Sequence, residues 1–280
     1  MHPLVSVIIP THNRLAFLKD AVVSVQTQSF RSMELIIVDD GSADGTADWL
    51  NTGGSTAATV IFQPNQGVSA ARNAGIRAST GELIAFLDSD DTWLPEKLAL
   101  QVRFFQTHPA AQICQTGEIW IRNGVRVNPG KRHRKESGMI FERSLALCLV
   151  SPSAVMMRRS LLDEVGLFDE SLPACEDYDL WLRILWKYPV DLLDPPLVVK
   201  RGGHADQLSR MPELDKFRIR SISKLLDRGC LSASQREAAL SMLETKCAIY
   251  AVGCRRRGRT SEADMYMELA LRHRQTVSLF

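Results

Sequence analysis

Residues 83–91 read Leu83-Ile84-Ala85-Phe86-Leu87-Asp88-Ser89-Asp90-Asp91. The apolar run predicts a buried strand, and it discharges directly into carboxylates. Side chains alternate along an extended backbone, so Asp88 and Asp90 share a face with Ser89 between them. Two neighbouring carboxylates repel unless a cation or a proton intervenes. Hard oxygen ligands of this kind suit magnesium or manganese, with the ion's remaining positions going to water and phosphate. Capping of a helix that starts near Pro95 accounts for Asp91 or Thr92, but hardly for Asp88 and Asp90 as well. Asp91 is therefore assigned to the cap.

Upstream, the pattern of strand followed by helix repeats. Residues 4–9 are a β-branched run ended by Pro10, residues 34–38 a second strand and residues 59–62 a third. Leu15, Leu18, Val22 and Val25 recur at helical spacing and predict a helix over 15–28. A short helix carries Trp49 and Leu50, capped by Ser42 or Asp44, and Gly67 opens another over 68–78. Such alternation predicts a parallel sheet covered on both faces. Ligands of these sheets bind outside the carboxyl ends of the strands. Three ends are polar here: Pro10-Thr11-His12-Asn13-Arg14, Asp39-Asp40-Gly41-Ser42 and Asp88-Ser89-Asp90-Asp91. One polar end means little, but three on one rim make a site. No G-x-G-x-x-G follows the first strand, which argues against a dinucleotide-binding domain.

Downstream the pattern changes. A helix is predicted over 95–106, a weakly alternating strand over 112–122, and a hairpin at Asn123-Gly124. A basic loop over 130–137 precedes a short helix (141–147), a strand (153–157) and a helix (175–186) that opens with Glu176-Asp177-Tyr178-Asp179. The last strand, 197–200, leads into Gly202-Gly203-His204. Beyond Pro212 only helices are expected, over 214–226, 234–254 and 260–272, the last two as an αα-hairpin. We divide the chain into residues 1–205 (1–110 a nucleotide-binding half, 111–205 an acceptor half) and a helical extension, 206–280. The extension is suited to covering a sheet edge, to homodimer formation or to contact with a partner.

The composition is that of an ordinary globular protein, 45% hydrophobic and 24% charged, and a net charge of +2 gives no argument for nucleic acid. The six cysteines form no C-x-x-C pair, so neither a zinc site nor a disulfide framework is suggested and a reducing compartment follows. Met1-His2-Pro3 runs straight into a strand without room for a signal peptide. No apolar run approaches the roughly 18 residues of a membrane helix. A cytoplasmic protein is expected, with any membrane contact peripheral at the inner face.

With these residues in place, the chain over about 4–205 resembles the inverting glycosyltransferases of family 2, which have the GT-A fold. Pro10-Thr11-His12-Asn13-Arg14 is similar to the family's P-T-x-N-R loop, and Asp39-Asp40-Gly41-Ser42 to its D-D-G-S. Asn65-Gln66-Gly67 and Ala71-Arg72-Asn73-Ala74-Gly75 are similar to its N-x-G and A-R-N-x-G stretches, Asp88-Ser89-Asp90 to its D-x-D, and Glu176-Asp177 to its acid pair. Their order and spacing together are highly specific.

The resemblance implies transfer of a sugar from a nucleotide-sugar, a UDP-sugar first, to a saccharide or lipid-linked acceptor in polysaccharide or glycoconjugate synthesis. It implies that Pro10, Thr11, Asn13 and Asp40 line the nucleoside site, with Asp40 accepting from the base. Arg14 and Arg72 would offset the diphosphate charge. Asp88 would contact ribose or metal, and Asp90 would bind the Mn2+ or Mg2+ that acts on the leaving diphosphate. Asp177 would be the base that deprotonates the acceptor hydroxyl, with Glu176 beside it. Helix capping is the alternative for both acids. His204 would touch metal or diphosphate. Trp181, one turn beyond Asp177, is either an apolar wall for the acceptor or a core residue. Where the family commonly has Tyr, His12 stands, which loosens the preference for uridine. The basic loop 131–135 could receive an anionic or lipid-diphosphate acceptor.

Two other classes remain. Nucleotidyl transfer also uses α/β sheets and metal-bound phosphate, but its Gly-rich basic loop is missing after the first strand. A degenerate transferase kept for binding would have lost its acids, and Asp88, Asp90 and Asp177 are all present.

Overall fold

Alternate residues of the central strands enter opposite hydrophobic clusters. Ile8, Ile36, Ile84 and Phe86 face one, while Val7, Ile9, Ile37, Leu83, Ala85 and Leu87 face the other. Burial on both faces is why these strands read as unbroken apolar runs. The computed structural model describes residues 4–54, 57–128, 130–203 and 207–275. In chain order it has β1 (Val5–Thr11), α1 (Leu15–Gln26), β2 (Met33–Asp39), α2 (Thr46–Asn51), β3 (Ala58–Phe62), α3 (Val68–Ala78), β4 (Leu83–Phe86) and β5 (Thr92–Trp93). Then come α4 (Lys97–Thr107), β6 (Ile113–Arg122), β7 (Val125–Val127), α5 (Phe141–Ala146), β8 (Val155–Arg158), α6 (Arg159–Val165), α7 (Glu176–Leu185) and β9 (Asp191–Gly202). The chain closes with α8 (Leu214–Asp227), α9 (Ala233–Arg256) and α10 (Thr260–Gln275).

The strands form one sheet in the order β3-β2-β1-β4-β8-β6-β9-β5, with β7 paired to β6. The first four are parallel, as the alternation of strand and helix predicts. Beyond β4 the sheet is mixed: β8 runs antiparallel to β4 and β6, β9 parallel to β6, and β5 antiparallel to β9. Only residues 87–91 join β4 to β5, yet the two strands lie at different places in that order. A turn spans the gap, Asp91 N donating to Asp88 O at 2.9 Å. So short a link requires the sheet to curl back on itself, and the curl sets the acidic stretch inside the bend.

Three elements depart from expectation. The two-residue β5 and the seven-residue α6 are too short to carry a period. β9 begins at Asp191, well before the predicted residue 197, because its first half contains Asp194, Pro195 and Pro196. The pairing with β6 jumps from Thr116↔Leu193 to Glu118↔Val198, which takes both prolines out of the ladder. Gly117 permits this, since a Cβ there would lie 3.0 Å from Pro196 Cβ. The predicted hairpin forms, with Asn123 and Gly124 both at positive φ (49° and 77°).

Of the last three helices, α8 lies against α7, α9 against α5 and α8, and α10 against α9. Ile222, Leu225, Leu240, Leu243 and Cys247 join the same cluster as Trp181 and Ile184. A capping box starts α9: Ser232 Oγ accepts from Gln235 N at 3.3 Å, and Gln235 Oε1 accepts from Ser232 N at 3.0 Å. All six cysteines are free thiols. Among the described residues, no helix is long and apolar enough to cross a membrane.

Candidate active site

The three polar strand ends open onto one cavity of about 650 Å³. Pro10, Thr11, His12 and Arg14 reach it from β1, Asp40 from β2, and Asp88 to Asp91 from β4. Its other walls are the start of α7, which carries Glu176 and Asp177, the end of β9 and residues 207–218.

At the end of β2, Asp40 is held by neighbouring loops. Its Oδ1 accepts from Gln63 Nε2 (2.7 Å) and Gln66 N (2.9 Å), and its Oδ2 from Gly67 N (2.8 Å). Gly41 makes this possible: it takes φ 78°, and a Cβ would lie 2.8 Å from Asn65 N. His12 Nδ1 donates to the Asp40 carbonyl at 2.9 Å, because a carbonyl can only accept. Its Nε2 is left to accept, from the Asn65 amide at 3.1 Å. Asn13, expected at the nucleoside, is not on the cavity wall. At φ 50° its Oδ1 accepts from Ala43 N (2.7 Å) while its N–H donates to Ser42 Oγ (2.8 Å). It braces the first polar loop against the second.

In the bend of the sheet, Asp88, Asp90 and Asp91 each bring one oxygen within 4.8 Å of the others. Asp91 is no cap: α4 begins at Lys97, and Asp91 is buried. It accepts from Ser153 Oγ (2.6 Å) and Arg201 N (3.0 Å). Burial, with the Asp90 and Asp88 charges beside it, holds its carboxyl well above the ordinary carboxylate range. Asp88 goes the other way: burial opposes its charge, but Arg72, Lys200 and Arg14 hold it low. Arg14 Nη1 donates to Asp90 Oδ2 at 2.6 Å. Asp88 and Asp90, clustered with the buried Asp91, offer hard oxygen donors that fit a divalent cation. His204, expected at the same ion, lies outside the described residues.

Arg72 is not a free phosphate ligand. It donates from Nη2 to Asp88 Oδ1 (2.7 Å) and from Nη1 to Glu176 Oε1 (2.6 Å), with its guanidinium 5.1 Å from the Phe168 ring. Burial and the adjacent Asp177 charge push Glu176 up to about 6, although Arg72 pulls it down. Asp177 is half-buried on the cavity wall; its Oδ1 accepts from Tyr178 N (2.6 Å) and its Oδ2 from Cys148 Sγ (3.5 Å). Trp181 is corrected to a core residue: it is 1% exposed, packed among the helices and absent from the cavity wall.

Lys200, not singled out from the sequence, lies in the cavity wall. Burial opposes its charge, but Glu118, Asp91, Asp88 and Asp177 around it hold its ammonium above the ordinary lysine range. A lone lysine ending Leu197-Val198-Val199 was the available signal. Lys135, counted with the basic loop, turns inward to Gln115 Oε1 (2.8 Å) and Glu118 Oε1 (3.4 Å). Only His133 of residues 131–135 reaches the cavity.

Residues 6–166 match the family model described as glycosyl transferase family 2. An uncharacterized glycosyltransferase of Nostoc sp. is 35% identical over 173 residues, 59% of this chain and 54% of that one. The Bacillus subtilis glycosyltransferase TuaG, named for a proposed role in teichuronic acid biosynthesis, is 31% identical over 188 residues, 66% of this chain and 73% of that one. The chain spans 35% to 65% of the length of its Rickettsia conorii, Nostoc and Rickettsia prowazekii relatives. Among solved structures, Staphylococcus aureus TarS (residues 1–349) in complex with UDP superposes with a TM-score of 0.68 at 23% identity, covering 86% of this chain and 70% of that one. The Pyrobaculum calidifontis mannosyltransferase PcManGT in complex with GDP-Man and Mn2+ gives a TM-score of 0.57 at 19% identity, covering 97% and 86%. The expected fold class is thus the observed one, a glycosyltransferase α/β fold with helices appended at its C-terminus.

Proposed function

The chain belongs to glycosyl transferase family 2, and from that premise we propose that it moves a sugar from a nucleotide-sugar to an acceptor hydroxyl with inversion. The observation that carries this reading is one cavity with a carboxylate triad at one wall and Asp177 at another. An inverting displacement needs those two functions on opposite sides of the reacting carbon: a stabilised leaving diphosphate and a base for the incoming hydroxyl.

In this reading Pro10, Thr11 and the loop held by Asp40 receive the nucleoside. Asp88 and Asp90 hold Mn2+ or Mg2+, which when bound supplies Lewis-acid stabilisation of the leaving diphosphate. Arg14 and Lys200 add fixed positive charge on the same side. Asp177 takes the acceptor proton, and Cys148 and the Tyr178 N–H fix the rotamer of its carboxylate. Arg72 and Glu176 act through others, holding Asp88 and the start of α7 in one frame. UDP and GDP-mannose are bound by structural relatives, and either base is compatible with His12. Six free thiols favour a reducing, cytoplasmic setting.

The test is incubation of the full chain with UDP-GlcNAc, UDP-glucose and GDP-mannose, with MnCl2 or EDTA, followed by nucleotide analysis. Metal-dependent release of nucleoside diphosphate is the expected result. Release of sugar 1-phosphate, with the nucleoside monophosphate passed to an acceptor or to water, would mean nucleotidyl transfer. Binding without release, even with saccharide acceptors added, would mean a binding module.

A further inference from the structure

The end of the cavity that holds Asp177 is closed by the C-terminal extension. Leu208, Leu214 and Arg218 lie in its wall, and all three fall outside the family match at 6–166. The first turn of α8 sits over the start of α7, where Cys175 Sγ approaches Leu214 O at 3.8 Å. One carboxylate there is shared by two cations. Arg218 Nη1 (3.1 Å) and Lys246 Nζ (3.3 Å) share a single carboxylate oxygen, Asp215 Oδ1. Arg218 Nε is buried without a hydrogen-bond partner. The Arg218 charge bears on its neighbour, since it helps to lower the Lys246 ammonium's proton affinity, although burial is the larger cause. Arg218 stands in the wall of the cavity that holds Asp177, with its Nε unpartnered and its Nη1 sharing Asp215 with Lys246, and is suited to receive an anion.

We propose that Arg218 receives an anionic group, carboxylate or phosphate, carried by the sugar acceptor, so that the extension selects an acidic acceptor and aims its hydroxyl at Asp177. This rests on the glycosyl-transfer reading, and it moves recognition of acceptor charge from the basic loop 131–135 to α8. A guanidinium suits the role because it offers several donors in a fixed plane to an oxyanion.

The experiment uses the full chain saturated with UDP and Mn2+, so that the donor site is filled. Binding of glucose, glucuronate, glucose 1-phosphate and farnesyl diphosphate is measured by calorimetry for wild type, Arg218→Gln and Arg218→Lys. The wild type is expected to bind at least one anionic probe about ten-fold or more tighter than glucose, the effect of one charged hydrogen bond. Which probe it is separates a sugar acid, a sugar phosphate and a lipid diphosphate as the source of the anion. Arg218→Gln should abolish the preference, Arg218→Lys should keep part of it, and UDP affinity should stay unchanged in both. If Arg218→Gln does not fold, Arg218→Lys decides: its preference for the anionic probe over glucose should fall, and an undiminished preference would overturn the proposal. Equal binding of glucose and every anion, or a preference that survives both variants, would overturn the proposal alone. Failure of the wild type to bind either UDP or GDP would remove the donor reading, and this proposal with it.

Discussion

Arg72 Nη1 donates to Glu176 Oε1 at 2.6 Å across 104 positions of sequence, with both side chains about 95% buried. The same guanidinium holds Asp88 Oδ1 at 2.7 Å. One residue of α3 thus ties the carboxylate at the end of β4 to the start of α7, which carries Asp177. The two sides of the proposed reaction are registered to each other through this bridge.

Breaking the bridge strands buried carboxylates. Arg72→Met should cost about 3–5 kcal/mol of stability, because removing one partner of a buried pair leaves the others uncompensated. Arg72→Lys should recover little, since a single ammonium does not span both acids. Urea denaturation of the three proteins checks this; a loss below about 1 kcal/mol for Arg72→Met would mean that the bridge contributes little.

Asp177→Asn keeps the shape of the acceptor wall and removes the base. Transfer should fall about 10²–10⁴-fold, the range for loss of a general base. The affinity for UDP should persist, as the nucleoside side of the cavity is untouched. Unchanged turnover would end the assignment.

Metal removal acts on the carboxylate triad. EDTA should weaken UDP binding about ten-fold or more, because Asp88 and Asp90 then face the diphosphate without a bridging cation. Asp90→Asn should weaken it similarly at limiting Mn2+. Equal affinity in chelator and in Mn2+, read by calorimetry, would exclude a metal role in nucleotide binding.

Glu118 supplies a pH signature. Burial opposes its charge, but Lys135, Lys200 and hydrogen bonds from Ser151 and Trp120 hold it down to about 2. Lys135 is itself lowered, because burial and the Lys200 charge outweigh the attraction of Glu118; the carboxylate is the member whose charge is secured. A carboxylate depressed on folding contributes stability that is present above its unfolded value near 4.5 and lost as pH falls through about 2. The contribution at neutral pH is about 3 kcal/mol. The stability difference between wild type and Glu118→Gln should therefore shrink between about pH 4.5 and pH 2. A difference that does not change with pH would contradict it.

Trp181 tests a correction. As a core residue its replacement by Phe should cost about 1–3 kcal/mol, with no change in acceptor KM. As an acceptor wall it would raise KM with little loss of stability. Thermal melts and acceptor titrations, once an acceptor is in hand, separate the two.

The sequence by itself determined the parallel half of the sheet and the rim where ligands bind. Apolar runs such as Val5–Ile9 and Leu83–Leu87 are buried on both faces, and that requirement is local enough to read along the chain. It also determined the family, because the motifs from Pro10 to Asp177 keep their order and spacing. What only the tertiary structure decided is how those charges are spent. Asp91 looked like a helix cap and is a buried carboxyl in the triad. Arg72 looked like a phosphate ligand and is a bridge between two acids, while Lys135 of the basic loop turns inward. Lys200 and Arg218 carried no motif, yet both stand in the cavity wall. The physical reason is that a charge is neutralised by whatever lies within a few ångströms. The curl of the sheet sets such neighbours across 110 residues, as between Asp91 and Arg201, and the packing of α8 on α7 across 39, as between Cys175 and Leu214, and no local pattern records them.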